Sequence, residues 1–219
     1  MGGMIPLADE SRRPVSFPAA TTAIIGINFG VFILELIGGD QFVTRWSEIP
    51  ADVVAGHHWI TLLTSLFLHA GWLHILGNMV FLHAFGPRVE DAMGRVKYTV
   101  FYLLSGIVAS LAQTAVMPNS TLPSLGASGA IAGVMGAFLV ISPGDQIKTL
   151  FFFGFLARVT FIPAFLLIGV WFLIQIFDQV GALADVQSGG VAYAAHVGGF
   201  LFGLVTARVF ARSKRPSEW

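Results

Sequence analysis

Six apolar stretches dominate this 219-residue chain, at residues 18–37, 70–86, 97–117, 125–142, 160–180 and 190–210. Most are close to the roughly 20 residues that cross about 30 Å of hydrocarbon as a helix. A single water-soluble globule of this size has no interior large enough for them. Charged residues make up 11% of the chain, where a soluble domain carries about 25%. The chain therefore reads as an all-α polytopic membrane protein with six transmembrane helices.

Two of the stretches need closer reading. Ile60 to Phe85 is nearly all apolar, and one straight helix of that length would run about 39 Å, longer than the bilayer core. It is divided here, with Trp59 to His69 in or near the interface and the span proper starting near Gly71. Trp46, Trp59 and Trp72 suit such an interfacial level. The fourth stretch is short and stops at the turn signal Ser142-Pro143-Gly144-Asp145. A short helix has little tilt to spare, so it is expected at the centre of the bundle.

Positive charge fixes the expected orientation. With six spans, Arg12, Arg13, Arg88, Arg95, Lys97, Lys148, Arg158, Arg208, Arg212, Lys214 and Arg215 all fall on one side, and Arg45 alone falls on the other. Both termini are then cytoplasmic, and the loops 38–69, 118–125 and 181–189 face outward. The expected divisions are a short cytoplasmic tail over 1–17, a six-helix domain over 18–210 and a second cytoplasmic tail over 211–219. No cleavable apolar leader is expected at the start. The short tails suit a prokaryotic plasma membrane.

The function classes narrow accordingly. The chain has no cysteine, which removes disulfide and thiolate chemistry, and its zero net charge gives no footprint for nucleic acid. No cofactor is expected. A metal site from His57, His58, His69 and His83 is not supported by the spacing. His57 and His58 read as solvated loop residues, and His69 as a structural residue bonding the loop backbone. Neither a metalloprotease HExxH nor a pair of intramembrane aspartates is present. Glu35 and the span-five residue Asp178 lie near outer span ends and are expected to reach water. Glu90 is expected to pair with Arg88 or Arg95. Trp171, Phe172 and Phe177 read as packing or lipid-facing residues, or as the lining of a lateral gate.

Polar side chains inside a membrane are costly, so each is a functional candidate. Spans two, four and six all run from outside to inside. His74 and Asn78 sit in the outer half of the second, Ser128 near the outer end of the fourth, and His196 about two turns into the sixth. Topology brings these residues to one depth. His74 and Asn78 are four positions apart and share a helix face. His196, Gly199 and Gly203 share another, and Gly129, Gly133 and Gly136 give the fourth span a matching smooth side. Packing the two glycine faces together would set His196 against Ser128, as an activated serine requires. Gly126 is counted with these packing glycines. Ser128 at a helix N-terminus also has free backbone N–H groups for a developing oxyanion. The plainer readings are that Ser128 is packing filler and that His74 and Asn78 hold helices together.

"GASG" at 126–129 resembles the nucleophile motif of the rhomboid intramembrane serine proteases. "AHVGGFLFG" at 195–203 is similar to the element that carries that family's catalytic histidine. "HAGWLHILGN" at 69–78 resembles its oxyanion segment, and "FGPRVEDAMG" at 85–94 its glycine–glutamate–glycine stretch. Asn28 sits in a similar context, and the resemblance runs from about residue 20 to 210.

The resemblance implies a six-helix bundle with a short central fourth helix, a dyad of Ser128 and His196, and oxyanion donors at His74 and Asn78. It also implies a water-filled cavity open to the outside, and membrane-protein substrates cut in or near their transmembrane segments. Two positions depart from it. Ala132 stands where some members stack an aromatic on the histidine, and Trp59-Ile60 where some have Trp-Arg. A non-catalytic relative that binds transmembrane helices for quality control is the alternative reading.

Overall fold

A computed structural model describes residues 2–11, 15–153, 156–184 and 192–212. The chain begins with strand β1 (Gly2–Asp9) and continues into helix α1 (Ala19–Trp46). Two short helices follow, α2 (Pro50–Val54) and α3 (Thr61–Thr64), the latter running into a 3-10 turn at Ser65–Phe67. Then come α4 (Trp72–Met93), α5 (Arg95–Val116), α6 (Ser128–Ile141), strands β2 (Gln146–Phe153) and β3 (Leu156–Pro163), α7 (Ala164–Ala184) and α8 (Tyr193–Phe210).

Among the described residues, three helices are each long and apolar enough to cross a membrane: α1, α5 and α8. The bent pair Thr61–Phe67 and Trp72–Met93 makes a fourth crossing if counted together. The bend is 92° and falls at residues 68–71, just before α4. The long apolar run is thus divided where the length argument puts the division. Helix α1 continues past the expected end at residue 37 after a break at Gly39, whose φ of 61° lies outside the helical region. Large apolar side chains face outward, among them Ile37, Leu73, Phe177, Val205 and Val209, the last two each 77% exposed. Such a surface belongs against hydrocarbon.

The all-α expectation missed a sheet. β2 pairs antiparallel with both β1 and β3, giving the order β1-β2-β3. The segment is rich in Phe, Ile, Val and Thr, which suit a pleated, half-buried surface. An apolar window alone does not separate such a hairpin from the start of a helix, so α7 begins at Ala164, after Pro163, and not at the expected 160. The N-terminal tail supplies the third strand. Asp145, at the turn before the sheet, lies 3.6 Å from Arg88 of α4, which also donates to the Ser142 hydroxyl at 2.8 Å.

Glu90 does more than form the expected ion pair. Its carboxylate accepts from the backbone N–H groups of Ala20 (3.0 Å) and Thr21 (2.8 Å) and from the Thr21 hydroxyl (2.8 Å). Those N–H groups belong to the first turn of α1, which has no intrahelical acceptor for them. A carboxylate there also complements the helix dipole. Arg95 adds a 4.0 Å ion pair, while Arg88 turns to Asp145 and Asp91. Glu35 also departs from expectation. It is 4% exposed, and both its oxygens accept from the His69 backbone N–H at 3.1 Å. It clamps the end of the loop between α1 and α4 instead of reaching water.

Glu48 joins the other end of that loop to the segment before α6. Its backbone pairs with Ser124 in both directions, at 3.0 and 2.7 Å, and its carboxyl accepts from Thr114 at 2.6 Å. Burial pushes this carboxyl up to about 7, with the Thr114 bond opposing the shift. The folded form therefore holds a proton that the unfolded chain releases near 4.5. The stabilisation is complete below that value and is lost as pH rises through about 7. The unfolding free energy in detergent is expected to fall across that window by up to ~1.4 kcal/mol per pH unit, read as a falling thermal midpoint, and Glu48→Gln is expected to flatten the dependence.

Candidate active site

The site is built where α6 and α8 press together, at the end of the molecule that carries the loop between α1 and α4. A Cβ on Gly199 would overlap the Gly129 carbonyl, and one on Gly203 the Gly133 carbonyl. A Cβ on Gly136 would meet the backbone of Phe200 and Leu204. The two backbones are in direct contact along this line, as the paired glycine faces predict. Gly126 lies outside that contact. It forms the turn before α6 at φ 130°, and a Cβ there would sit 2.9 Å from Cε1 of His74 and 3.6 Å from Oγ of Ser128. Its φ is one that side chains rarely adopt, and its bareness lets His74 approach Ser128.

That approach sets the polar geometry. Oγ of Ser128 lies 2.7 Å from Nε2 of His196, although the residues are 68 positions apart. On the other side of the ring, Nδ1 lies 2.5 Å from Oε1 of Gln175 in α7. An amide oxygen can only accept, so Nδ1 carries the proton and Nε2 keeps a lone pair facing the serine. Trp171, one turn before Gln175, lies 5.9 Å from the imidazole between ring centroids, and Tyr193 lies edge-on at 6.4 Å. With Ala132 fully buried in the α6 core, α7 and the start of α8 hold the ring in place of an aromatic on α6.

His74 is oriented by its own backbone neighbourhood. Nδ1 accepts from the Ala70 N–H at 3.2 Å, which leaves the proton on Nε2, toward Gly126 and Ser128. Asn78 is buried, and its Nδ2 has no partner among the described residues. A buried amide donor without an acceptor is costly unless something else takes the bond. Ser128 opens α6, so the first N–H groups of that helix also lack intrahelical acceptors. A hydroxyl on a neutral imidazole, beside several unspent donors, can attack an acyl carbon and hold the oxyanion that forms.

Other sequence candidates lie elsewhere. His57, His58 and His83 are exposed. His69 is buried with its ring 5.2 Å from that of His74, and its tie to Glu35 runs through its backbone N–H. Phe172 stacks on Phe200 at 4.1 Å, while Phe177 is 73% exposed. The Asp178 side chain lies outside what is described. Sequence reading missed Gln175, although the signal was there: an amide in the middle of an apolar helix.

Comparison with known proteins gives a family model, the Rhomboid domain, matching residues 56–213. The chain is 28% identical to Rhomboid-like protein 11, chloroplastic, of Arabidopsis thaliana, over 96% of this chain and 71% of that one. It is 30% identical to Rhomboid protease GluP of Bacillus subtilis (strain 168), over 75% of this chain and 32% of the relative. It is also 30% identical to Rhomboid protease GlpG of Pectobacterium atrosepticum, over 85% of this chain and 61% of the relative. The chain thus spans less than two thirds of either named protease. A chloroplastic protein among these relatives means that similarity does not single out a prokaryotic membrane.

Proposed function

The chain belongs to the rhomboid family and is an integral membrane protein, and from that premise we propose that it is an intramembrane serine endopeptidase. Its substrates are other membrane proteins, cut within or beside their transmembrane segments. The observation that carries this reading is the 2.7 Å contact between Ser128 Oγ and the unprotonated Nε2 of His196. In this reading α1, α4, α5, α6, α7 and α8 are six crossings, with α6 at the centre and both termini on the cytoplasmic side.

The chemistry follows from the donors and acceptors. Ser128 Oγ attacks the scissile carbonyl carbon as His196 Nε2 takes its proton. The carbonyl π pair moves onto oxygen. The Ser128 N–H, His74 Nε2–H and Asn78 Nδ2–H are the donors for that oxyanion. Collapse breaks the C–N bond, and the imidazolium returns its proton to the leaving amine. Water, with His196 again as base, hydrolyses the acyl-enzyme.

The direct test is cleavage of a single-span substrate by purified protein, together with fluorophosphonate labelling of Ser128. Labelling that Ser128→Ala leaves intact would overturn the assignment. The oxyanion donors give a graded expectation. His74→Ala and Asn78→Ala are each expected to lower kcat/KM by roughly 10²–10³-fold, about 2.7–4 kcal/mol in the barrier. The measurement is turnover at fixed protein fold, checked by thermal midpoint. Interhelical glue would instead lower the midpoint with little effect on turnover.

A further inference from the structure

We propose that Gln175 is the positioning residue that fixes the tautomer and the direction of the His196 ring, so that the site is a hydrogen-bonded Ser–His–Gln triad. The proposal rests on Ser128 and His196 being the catalytic pair. Gln175 is buried in α7, and its Oε1 is 2.5 Å from Nδ1 of His196. Imidazole has one proton to place when neutral. If Nδ1 lost its acceptor, the proton could sit on Nε2, and the lone pair that must take the serine proton would point away from it. Gln175 removes that choice. The amide oxygen rewards the Nδ1–H form and also stays bonded to the imidazolium after proton transfer.

The residue type matters as well as the position. A carboxylate in this place would add charge to a buried site and favour the imidazolium at rest. A neutral amide orients the ring and leaves it unprotonated, ready to act as a base. The described parts of the neighbouring elements supply few competing charges. Among the described residues, His74 from α4 and Tyr193 on α8 itself are the titratable side chains near the ring. Helix α6 carries none, and those of α5 all lie by residue 102, toward its other end. In α7 the only ionisable residue is Asp178, three positions after Gln175. Trp171 lies on the same face of α7 one turn earlier, so one helix both bonds the ring edge and packs its side.

The test compares Gln175→Leu and Gln175→Glu with the wild type, using a fluorogenic single-span substrate in proteoliposomes and thermal midpoints alongside. Gln175→Leu is expected to lower kcat about tenfold or more with KM unchanged, because the ring loses its orientation and not its substrate. Gln175→Glu is expected to recover most of that kcat and to move the acid limb of the kcat/KM profile to higher pH, since the carboxylate raises the basicity of the imidazole. Wild-type kcat and pH profile in Gln175→Leu would overturn the proposal. So would equal losses in both variants that simply track a lowered midpoint, which is the signature of a packing role. Failure here is separable from failure of the protease reading. Cleavage that still requires Ser128 but ignores Gln175 removes only the positioning role, whereas cleavage indifferent to Ser128 removes both.

Discussion

Ser128→Ala is expected to lower kcat/KM for a single-span substrate by about 10⁴-fold or more, the scale seen when a nucleophile is removed from a serine hydrolase. His196→Ala is expected to fall to a similar level. The double variant is expected to be no worse than either single one. That non-additivity is the informative part. The hydroxyl is a weak nucleophile until Nε2 accepts its proton at 2.7 Å, and the imidazole has nothing to deprotonate once the hydroxyl is gone. The two act as a unit, so each deletion removes the whole function. Substrate binding draws on other surfaces, so Ser128→Ala is expected to keep its affinity for an intact substrate. Near-native midpoints in both single variants would show that the loss is chemical. Undiminished cleavage by either variant is incompatible with the proposed mechanism.

How much of this could be read in the sequence depends on what each residue has to do. The meeting of Ser128, His196 and His74 was legible because helices that run in one direction bring their starts to one end of a bundle. The α6–α8 contact was legible because glycine at helical spacing has one obvious use inside a membrane. Gln175 was not placed, since a polar residue on a helix says that a partner exists and not which one. Glu35 was misjudged for a related reason. Position near a span end allows either a path to water or a bond to loop backbone, and only the fold of residues 47–71 decides. The sheet was missed because its strands are apolar enough to pass for the margin of a span. Gly126 reads from the sequence both as a packing glycine and as an opening at the helix start, and its φ of 130° is a property of the turn that composition does not show.

The contact between α6 and α8 carries the second large expectation. Gly199→Ala and Gly203→Ala place a methyl onto the carbonyls of Gly129 and Gly133. Those obstacles are backbone, which cannot rotate away as a side chain end would. The helices must separate, and overpacking of this kind costs typically ~1–3 kcal/mol. Helix propensity alone would favour alanine over glycine by up to ~1 kcal/mol, so the sign of the result reports on the contact. Gly26→Ala and Gly30→Ala in α1 supply the control, because nothing lies within 4 Å of a Cβ at either position. Those two are expected to leave the thermal midpoint unchanged or to raise it.

Activity should separate the two seam positions further. Gly129 follows Ser128 directly, and Gly199 comes one turn after His196. A methyl at 199 therefore wedges the helices apart at the level of the reacting pair, where a displacement of about 1 Å can cost roughly 10²-fold in rate. A methyl at 203 acts a turn deeper. It is expected to destabilise the protein comparably while leaving more turnover in the molecules that stay folded. A wild-type midpoint and wild-type turnover in Gly199→Ala would mean that the two backbones do not touch there. The route by which glycine packing delivers a histidine to a serine would then be wrong, even if both residues proved catalytic.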